Sequence, residues 1–216
     1  MIQSSTHHAD WQAQLTVGLH ALQVTLSAEQ QAGLVNYLAL LERWNKAFNL
    51  TAIRDPQQMV SRQLLDSLAI MPWVTGPRVL DVGSGAGLPG IPLAIALPEQ
   101  SFVLLDANGK KTRFIQQAIT QLHLTNVSVV QSRIEAYRPA TRFHTITARA
   151  FSQVSEIIRL TAPVLADSGQ WALMLGPVDA ASQASWEAFA MPYQLIPLQI
   201  PEEIAQRHLL QIKNIP

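Results

Sequence analysis

The chain contains no cysteine. That absence removes disulfides, thiolate metal ligands and cysteine nucleophiles together, and it suits a reducing compartment. Long apolar runs are missing as well. The longest, Leu88 to Leu97, is interrupted by Pro89 and Pro92 and falls well short of a hydrocarbon core of about 30 Å, so no membrane span is expected. The opening residues Met1-Ile2-Gln3-Ser4-Ser5-Thr6-His7-His8 lack a basic stretch followed by an apolar one, so no secretory signal is expected. The two adjacent histidines there read as a polar terminus rather than a metal site. There is no internal repeat and no low-complexity tract, and no Lys or Arg occurs between Arg159 and Arg207.

What is present points to one domain, or one domain with an extension: 216 residues, 48% of them hydrophobic, enough for a sizeable core. The formal net charge is zero, which taken alone argues against a nucleic-acid partner. The distribution reverses that reading. Between Arg43 and Arg159 there are thirteen Lys and Arg against seven Asp and Glu, a balance of +6, and the remainder of the chain carries −6. A basic middle is hidden inside a neutral total.

Residues 10–72 carry a helical pattern. Ser27 followed by Gln30 is a capping box, and Leu34, Leu38, Leu41 and Trp44 then form an apolar stripe at helical spacing. Asn49 and Thr51 break this helix. Asp55-Pro56 opens another, expected to run to about Met71. After Pro77 the pattern changes. Strands are expected at Arg78–Val82, Ser101–Asp106, Val127–Gln131, Phe143–Ala148 and Trp171–Leu175. Helices are expected at Pro89–Leu97, Lys110–His123, Val154–Leu165 and Ala180–Phe189. Two final strands, Gln194–Gln199 and His208–Ile212, have no clear helix between them and are expected to pair antiparallel. Strands alternating with helices imply an α/β fold, a mostly parallel doubly wound sheet. The expected division is a helical extension over residues 1–75 and a ligand-binding domain over 76–216.

The chemistry is carried by Val79-Leu80-Asp81-Val82-Gly83-Ser84-Gly85-Ala86-Gly87. A glycine-rich loop that follows a strand and opens a helix lies at the carboxyl edge of such sheets, where ligands bind. Gly85-Ala86-Gly87-Leu88-Pro89-Gly90 literally matches the dinucleotide fingerprint. However, Asp81 stands just before the loop, and a carboxylate there repels a pyrophosphate while it favours a sulfonium and an α-ammonium. The pattern of apolar residue, Asp, apolar residue and three alternating glycines is therefore read as an S-adenosylmethionine site. Asp106, just past the second apolar strand, is placed to accept both ribose hydroxyls of an adenosine, a feature common to NAD and S-adenosylmethionine sites. Glu135, after the third strand, is placed to meet the adenine.

These residues resemble the bacterial small-subunit ribosomal RNA guanine-N7 methyltransferases, the glucose-inhibited division protein B family, over roughly residues 30–215. The resemblance rests on Trp44-Asn45 with Asn49-Leu50-Thr51, Leu65-Asp66-Ser67-Leu68, and the run from Asp81 through Gly87-Leu88-Pro89-Gly90-Ile91-Pro92-Leu93. It continues through Leu104-Leu105-Asp106, Lys110-Lys111, Arg113-Phe114, Arg133 with Glu135, Arg149-Ala150-Phe151 and Arg207-His208-Leu209. It implies a class I Rossmann-like fold and a cytoplasmic enzyme, expected to be a monomer that needs no metal. The enzyme would use S-adenosylmethionine to methylate N7 of one guanine, guanine 527 in the 530 hairpin of 16S ribosomal RNA, alone or in the small ribosomal subunit. By resemblance the cofactor touches Gly83, Leu88, Ile134, Glu135 and Arg149; Gly85 and Asp106 complete the expected cofactor set. Three positions depart from the family pattern: Gln63 replaces a His, His144 an Asp, and Leu175 a Lys.

Guanine N7 carries a lone pair and no proton, so its methylation needs no base. This fits a sequence with no His–Asp or paired-carboxylate motif near the loop, and leaves proximity and orientation as the protein's tasks. Lys110, Lys111 and Arg113 are expected to face RNA phosphates. Arg149, at the end of the fourth strand, is expected to orient the base. His123, His144 and His208 read as structural or surface residues, and Trp11, Trp44, Trp73, Trp171 and Trp186 as packing. Three other readings stay open on residues alone: a small-molecule methyltransferase, a nicotinamide oxidoreductase, and a non-catalytic RNA-binding assembly factor.

Overall fold

A computed structural model describes residues 6–149, 153–187 and 191–214. Helix α1 (His8–Ala21) and helix α2 (Ala28–Phe48) come first. The capping box forms as read: Ser27 Oγ accepts from the Gln30 amide at 3.2 Å, and Gln30 Oε1 accepts from the Ser27 amide at 2.9 Å. Asn49 ends α2 in the left-handed conformation at φ 51°, a backbone state asparagine tolerates better than most residues. Asp55 accepts from the Gln57 amide and, with Pro56 behind it, starts the next helical segment. That segment is not uniform. It runs α3 (Pro56–Met59), a π-helical turn (Val60–Leu65) and α4 (Asp66–Leu68), which stops short of the expected end near Met71, and a 3₁₀ turn over Met71–Trp73 follows. π-Turns inside helices concentrate at functional sites, and this one carries Arg62 and leads directly into Asp66.

The remaining elements are β1 (Arg78–Val82), α5 (Gly90–Ala96), β2 (Ser101–Asp106), α6 (Gly109–Gln121), β3 (Val127–Gln131), β4 (Phe143–Arg149), α7 (Val154–Thr161), β5 (Leu165–Leu175), α8 (Ala180–Glu187), β6 (Tyr193–Leu198) and β7 (Arg207–Lys213). Strands β1, β2 and β3 match expectation to the residue. The expected helix Val154–Leu165 is shorter, because Pro163 has no amide hydrogen to continue it, and a 3₁₀ turn over Ala162–Val164 takes over. Strand β5 consequently begins at Leu165, six residues before the expected Trp171. The expected end of the following helix, Phe189, lies outside the described residues, as do Ala150 and Phe151.

The seven strands form one sheet in the order β3-β2-β1-β4-β5-β7-β6. Strands β3 to β5 are mutually parallel, and β7 pairs antiparallel with both β5 and β6, as the missing crossover helix implied. The chain direction across the sheet reverses between β1 and β4, the switch point at which doubly wound sheets bind ligands. Apolar side chains fill both faces. One core joins Trp11, Leu38 and Leu64 of the helical N-terminal region to Val79, Leu93, Phe102 and Phe114. The other sits on the opposite face, with Leu80, Ile146 and Trp171 against Ile157 and Ile158 of α7.

Candidate active site at the carboxyl edge of the sheet

The glycine loop takes its shape from two requirements. Gly87 has φ +83°, and a Cβ there would lie 2.5 Å from Ile91 Cδ1. Gly90 brings the start of α5 against the sheet: a Cβ would lie 2.8 Å from Leu104 Cγ and 2.9 Å from Asp81 Oδ2. Both positions exclude side chains on geometry alone. Tyr37 of α2 is fully buried and donates its hydroxyl to the Ala86 carbonyl at 2.7 Å. Burial pushes that hydroxyl's pKa up, so it stays a donor at any working pH. The N-terminal helices thus hold the loop from behind.

Asp81 lines neither of the two cavities at this edge of the sheet. Its carboxylate turns inward, with Oδ2 accepting from the Gly90 amide at 3.1 Å and Oδ1 from the Thr147 hydroxyl at 3.1 Å. It is wholly buried, and desolvation raises its pKa to about 6 in spite of those bonds. The carboxylate expected to favour a sulfonium is thus turned into the fold. It joins β1, β4 and the start of α5, and bears on the loop through its field and its hydrogen bonds.

Two cavities flank the switch point. The first, of about 360 Å³, is lined by Val82, Gly83, Asp106, Ser132, Ile134 and Glu135 among others. Asp106 stands in its wall with Oδ2 accepting from the Gly85 amide and Oδ1 from the Asn108 amide, each at 2.8 Å. Carboxylate oxygens have further lone pairs for a ribose diol. A carboxylate acceptor for the ribose hydroxyls, a glycine backbone and an apolar wall suit an adenosine, so the residues fit the cofactor's nucleoside half. Leu88 is buried in the core and Gly85 lies in the loop itself; neither lines this cavity.

The second cavity, of about 410 Å³, opens on the β4–β5–β7 side. Its wall includes Thr51, Arg62, Asp66, Arg149, Gly176, Arg207 and His208. Its four charged residues join Glu203 in a chain of alternating sign. Arg149 Nη1 lies 3.2 Å from Asp66 Oδ2, and Asp66 Oδ1 lies 3.3 Å from Arg207 Nε. Glu203 Oε2 lies 3.6 Å from Arg207 Nη2 and 3.0 Å from Arg62 Nε. Arg149 also donates to the Arg62 carbonyl at 3.3 Å. Asp66 is buried, and its pKa is raised by desolvation against the pull of the two arginines. Three cations against two anions leave the cluster net positive.

The expected site residues therefore divide. Gly83, Asp106, Ile134 and Glu135 meet in the first cavity, and Arg149 stands in the second. Of the basic helix start, Lys110 and Arg113 are exposed. Lys111 turns towards the loop, with Nζ 3.8 Å from Asp106 Oδ2. No local spacing connects Arg62, Asp66, Glu203 and Arg207, so the sequence alone gives them no chemical role, although the segments that carry the resemblance hold Asp66 and Arg207. His208, read as structural, does hydrogen-bond the Gly176 carbonyl at 3.0 Å, but it also lines the cavity. Leu175, one of the three departures from the expected pattern, lines the same wall. Gln63 is buried, with Oε1 unpartnered, and His144 packs against Gly76. Among the described residues no group of acidic and histidine side chains is arranged to hold a metal, and no helix is long and apolar enough to cross a membrane.

The profile of the family described as rRNA small subunit methyltransferase G matches residues 30–210. The chain belongs to this family. Among rRNA small subunit methyltransferase G proteins it is 46% identical over 199 residues to that of Laribacter hongkongensis, covering 92% of this chain and 96% of that one. To that of Marinobacter nauticus it is 47% identical over 207 residues, covering 94% and 95%. A solved SAM-dependent methyltransferase from Aquifex aeolicus superposes with TM-score 0.59 at 15% identity, covering 77% of this chain and 97% of its own, a likeness of fold. The fold is that of class I methyltransferases with helices added at the N-terminus.

Proposed function

We propose that this family member transfers a methyl group from S-adenosylmethionine to N7 of guanine 527 in the 530 hairpin of 16S ribosomal RNA. It acts in the cytoplasm, as a monomer and without a metal. The observation that carries the reading is the net-cationic cluster of Arg62, Arg149 and Arg207, held on Asp66 and Glu203 at the same sheet edge as the cavity walled by Gly83, Asp106, Ile134 and Glu135. When bound, the cofactor supplies a methyl group on a sulfonium that an unprotonated ring nitrogen takes by in-line displacement. Asp106 accepts the ribose hydroxyls, while Gly83, Ile134 and Glu135 enclose the adenine end. Lys111 neutralises Asp106 and steadies it.

On the other side of the switch point, Arg149 donates to guanine O6 and leaves N7 unpaired. The usual bidentate arginine grip on O6 and N7 would block the nucleophile. Asp66 keeps the Arg149 guanidinium in place, which is the orienting task that dominates when no proton has to be removed. Arg62 and Arg207 meet the phosphates. Exposed Lys110 and Arg113 extend the basic surface. The test is incubation with labelled methyl donor and either deproteinised or assembled small subunits, followed by mapping of the modified base. Label on any atom other than guanine N7, or no label on RNA at all, overturns the assignment.

A further inference from the structure

The apolar stripe of α2 meets a defined partner at each turn until its last. Tyr37 holds the Ala86 carbonyl. The rings of Tyr37 and Trp44 lie 6.3 and 5.7 Å from that of Phe114 on α6. One turn on, Phe48 continues the stripe with its ring centroid 5.0 Å from that of Trp44 and the planes 34° apart. Yet Phe48 is 45% exposed. It is one of the few large apolar side chains left in water among the described residues, and packing of the fold alone does not call for it there.

Its position gives the exposure a meaning. Thr51, Ala52 and Ile53, which come after α2 once Asn49 and Leu50 have turned the chain, line the second cavity. Helix α6 starts at the same sheet edge, with Lys111 beside the glycine loop and Lys110 in solvent. Arg54 donates to the Asn49 side chain at 2.6 Å, which sets a guanidinium beside the residue next to Phe48. The nearest acid on α2, Glu42, is paired with Lys46 at 3.3 Å. An open aromatic ring, backed by a second ring, with Arg54 held on the neighbouring Asn49 and the cavity-lining Thr51, Ala52 and Ile53 just beyond, matches a polyanion that carries flat rings of its own.

We propose that Phe48, backed by Trp44, is a stacking platform for one unpaired base of the RNA substrate, next to the cavity that takes the target guanine. The inference rests on the reading that RNA is the substrate. Stacking on an aromatic side chain tolerates any base, so Phe48 adds grip on an opened strand rather than sequence choice.

The experiment compares Phe48→Ala, Phe48→Leu and Phe48→Tyr with the wild type in the full chain. Binding of a single-stranded RNA oligonucleotide and of a fully paired RNA duplex is followed by fluorescence anisotropy at one salt concentration. Single-turnover methyl transfer is measured against the concentration of small-subunit RNA. We expect Phe48→Ala to weaken single-strand binding and to raise the half-saturating RNA concentration about tenfold. Duplex binding, the maximal rate, cofactor affinity and melting temperature should be unchanged. Phe48→Tyr should restore the wild-type values and Phe48→Leu should not. If leucine serves as well as tyrosine, or if alanine weakens single strand and duplex alike or neither, the platform is refuted. If the wild type methylates no RNA, the functional reading fails instead; the oligonucleotide arm still decides whether Phe48 stacks bases.

Discussion

Replacing Asp81 with asparagine should make the cofactor-free protein more stable at pH 8 and a poorer binder of its methyl donor. Burial raises the Asp81 carboxyl from 3.8 to about 6. Between about pH 4 and pH 6 the folded chain therefore holds a proton that the unfolded chain has released. Stability contributed by this group falls as pH rises through that window, by about 3 kcal/mol in all, and is level above it. The substituted amide would not titrate. Its carbonyl can accept from the Gly90 backbone amide, and its NH₂ can donate to the Thr147 hydroxyl, which rotates to receive it. With both bonds kept, we expect a gain of about 2 kcal/mol at pH 8, shrinking to nothing near pH 4. Urea unfolding followed by circular dichroism at pH 4, 6 and 8 measures the gain, and calorimetry with S-adenosylmethionine measures the loss of binding. A variant that is folded but less stable than the wild type at pH 8, or one whose gain does not change with pH, would show that the buried charge carries no such penalty.

The other predictions address the two cavities and the surface. Asp106→Ala should weaken cofactor binding by about 1.5–3 kcal/mol by calorimetry, the range for hydrogen bonds to a charged group; unchanged affinity in a folded variant removes Asp106 from the site. Asp66→Asn should slow single-turnover methyl transfer on the order of a hundredfold while cofactor affinity holds, because Arg149 and Arg207 lose the anion that orients them; a rate within about twofold of wild type refutes that role. Across pH 6 to 9 the wild-type rate and the slower Arg149→Ala rate should both be nearly flat, whereas a tenfold rise per pH unit abolished by replacing one His or carboxylate would reveal a general base and a protonated target atom. Charge removal at Lys110 and Arg113 should reduce the log–log salt slope of RNA binding by about 0.7–0.9 per contact. Lys111→Ala should act mainly on cofactor affinity, since its ammonium faces Asp106; a full slope in the double variant would place the RNA elsewhere.

Much was decided locally and was therefore legible from the chain alone. Strands β1 to β3, the α2 capping box, the glycine loop between β1 and α5 and the antiparallel close all follow from neighbouring residues: apolar runs, a Ser three before a Gln, glycines where side chains do not fit. Asp106 could be named because strand and loop order fix its place beside Gly83. The tertiary structure decided what depends on residues far apart in sequence. Arg62, Asp66, Arg149, Glu203 and Arg207 come from the π-turn and the helix after it, the end of β4, and the approach to and start of β7, and no spacing rule connects them before the sheet closes. The inward turn of Asp81 required β4 to bring Thr147 alongside. Lys111 parted from Lys110 because consecutive helical residues point about 100° apart, and the packing of α6 on β2 chose which of them faced the loop. Phe48 had the same periodicity as the buried members of its stripe; the stripe outruns the core it covers, and that length, set by where α2 crosses α6, left its last ring in water.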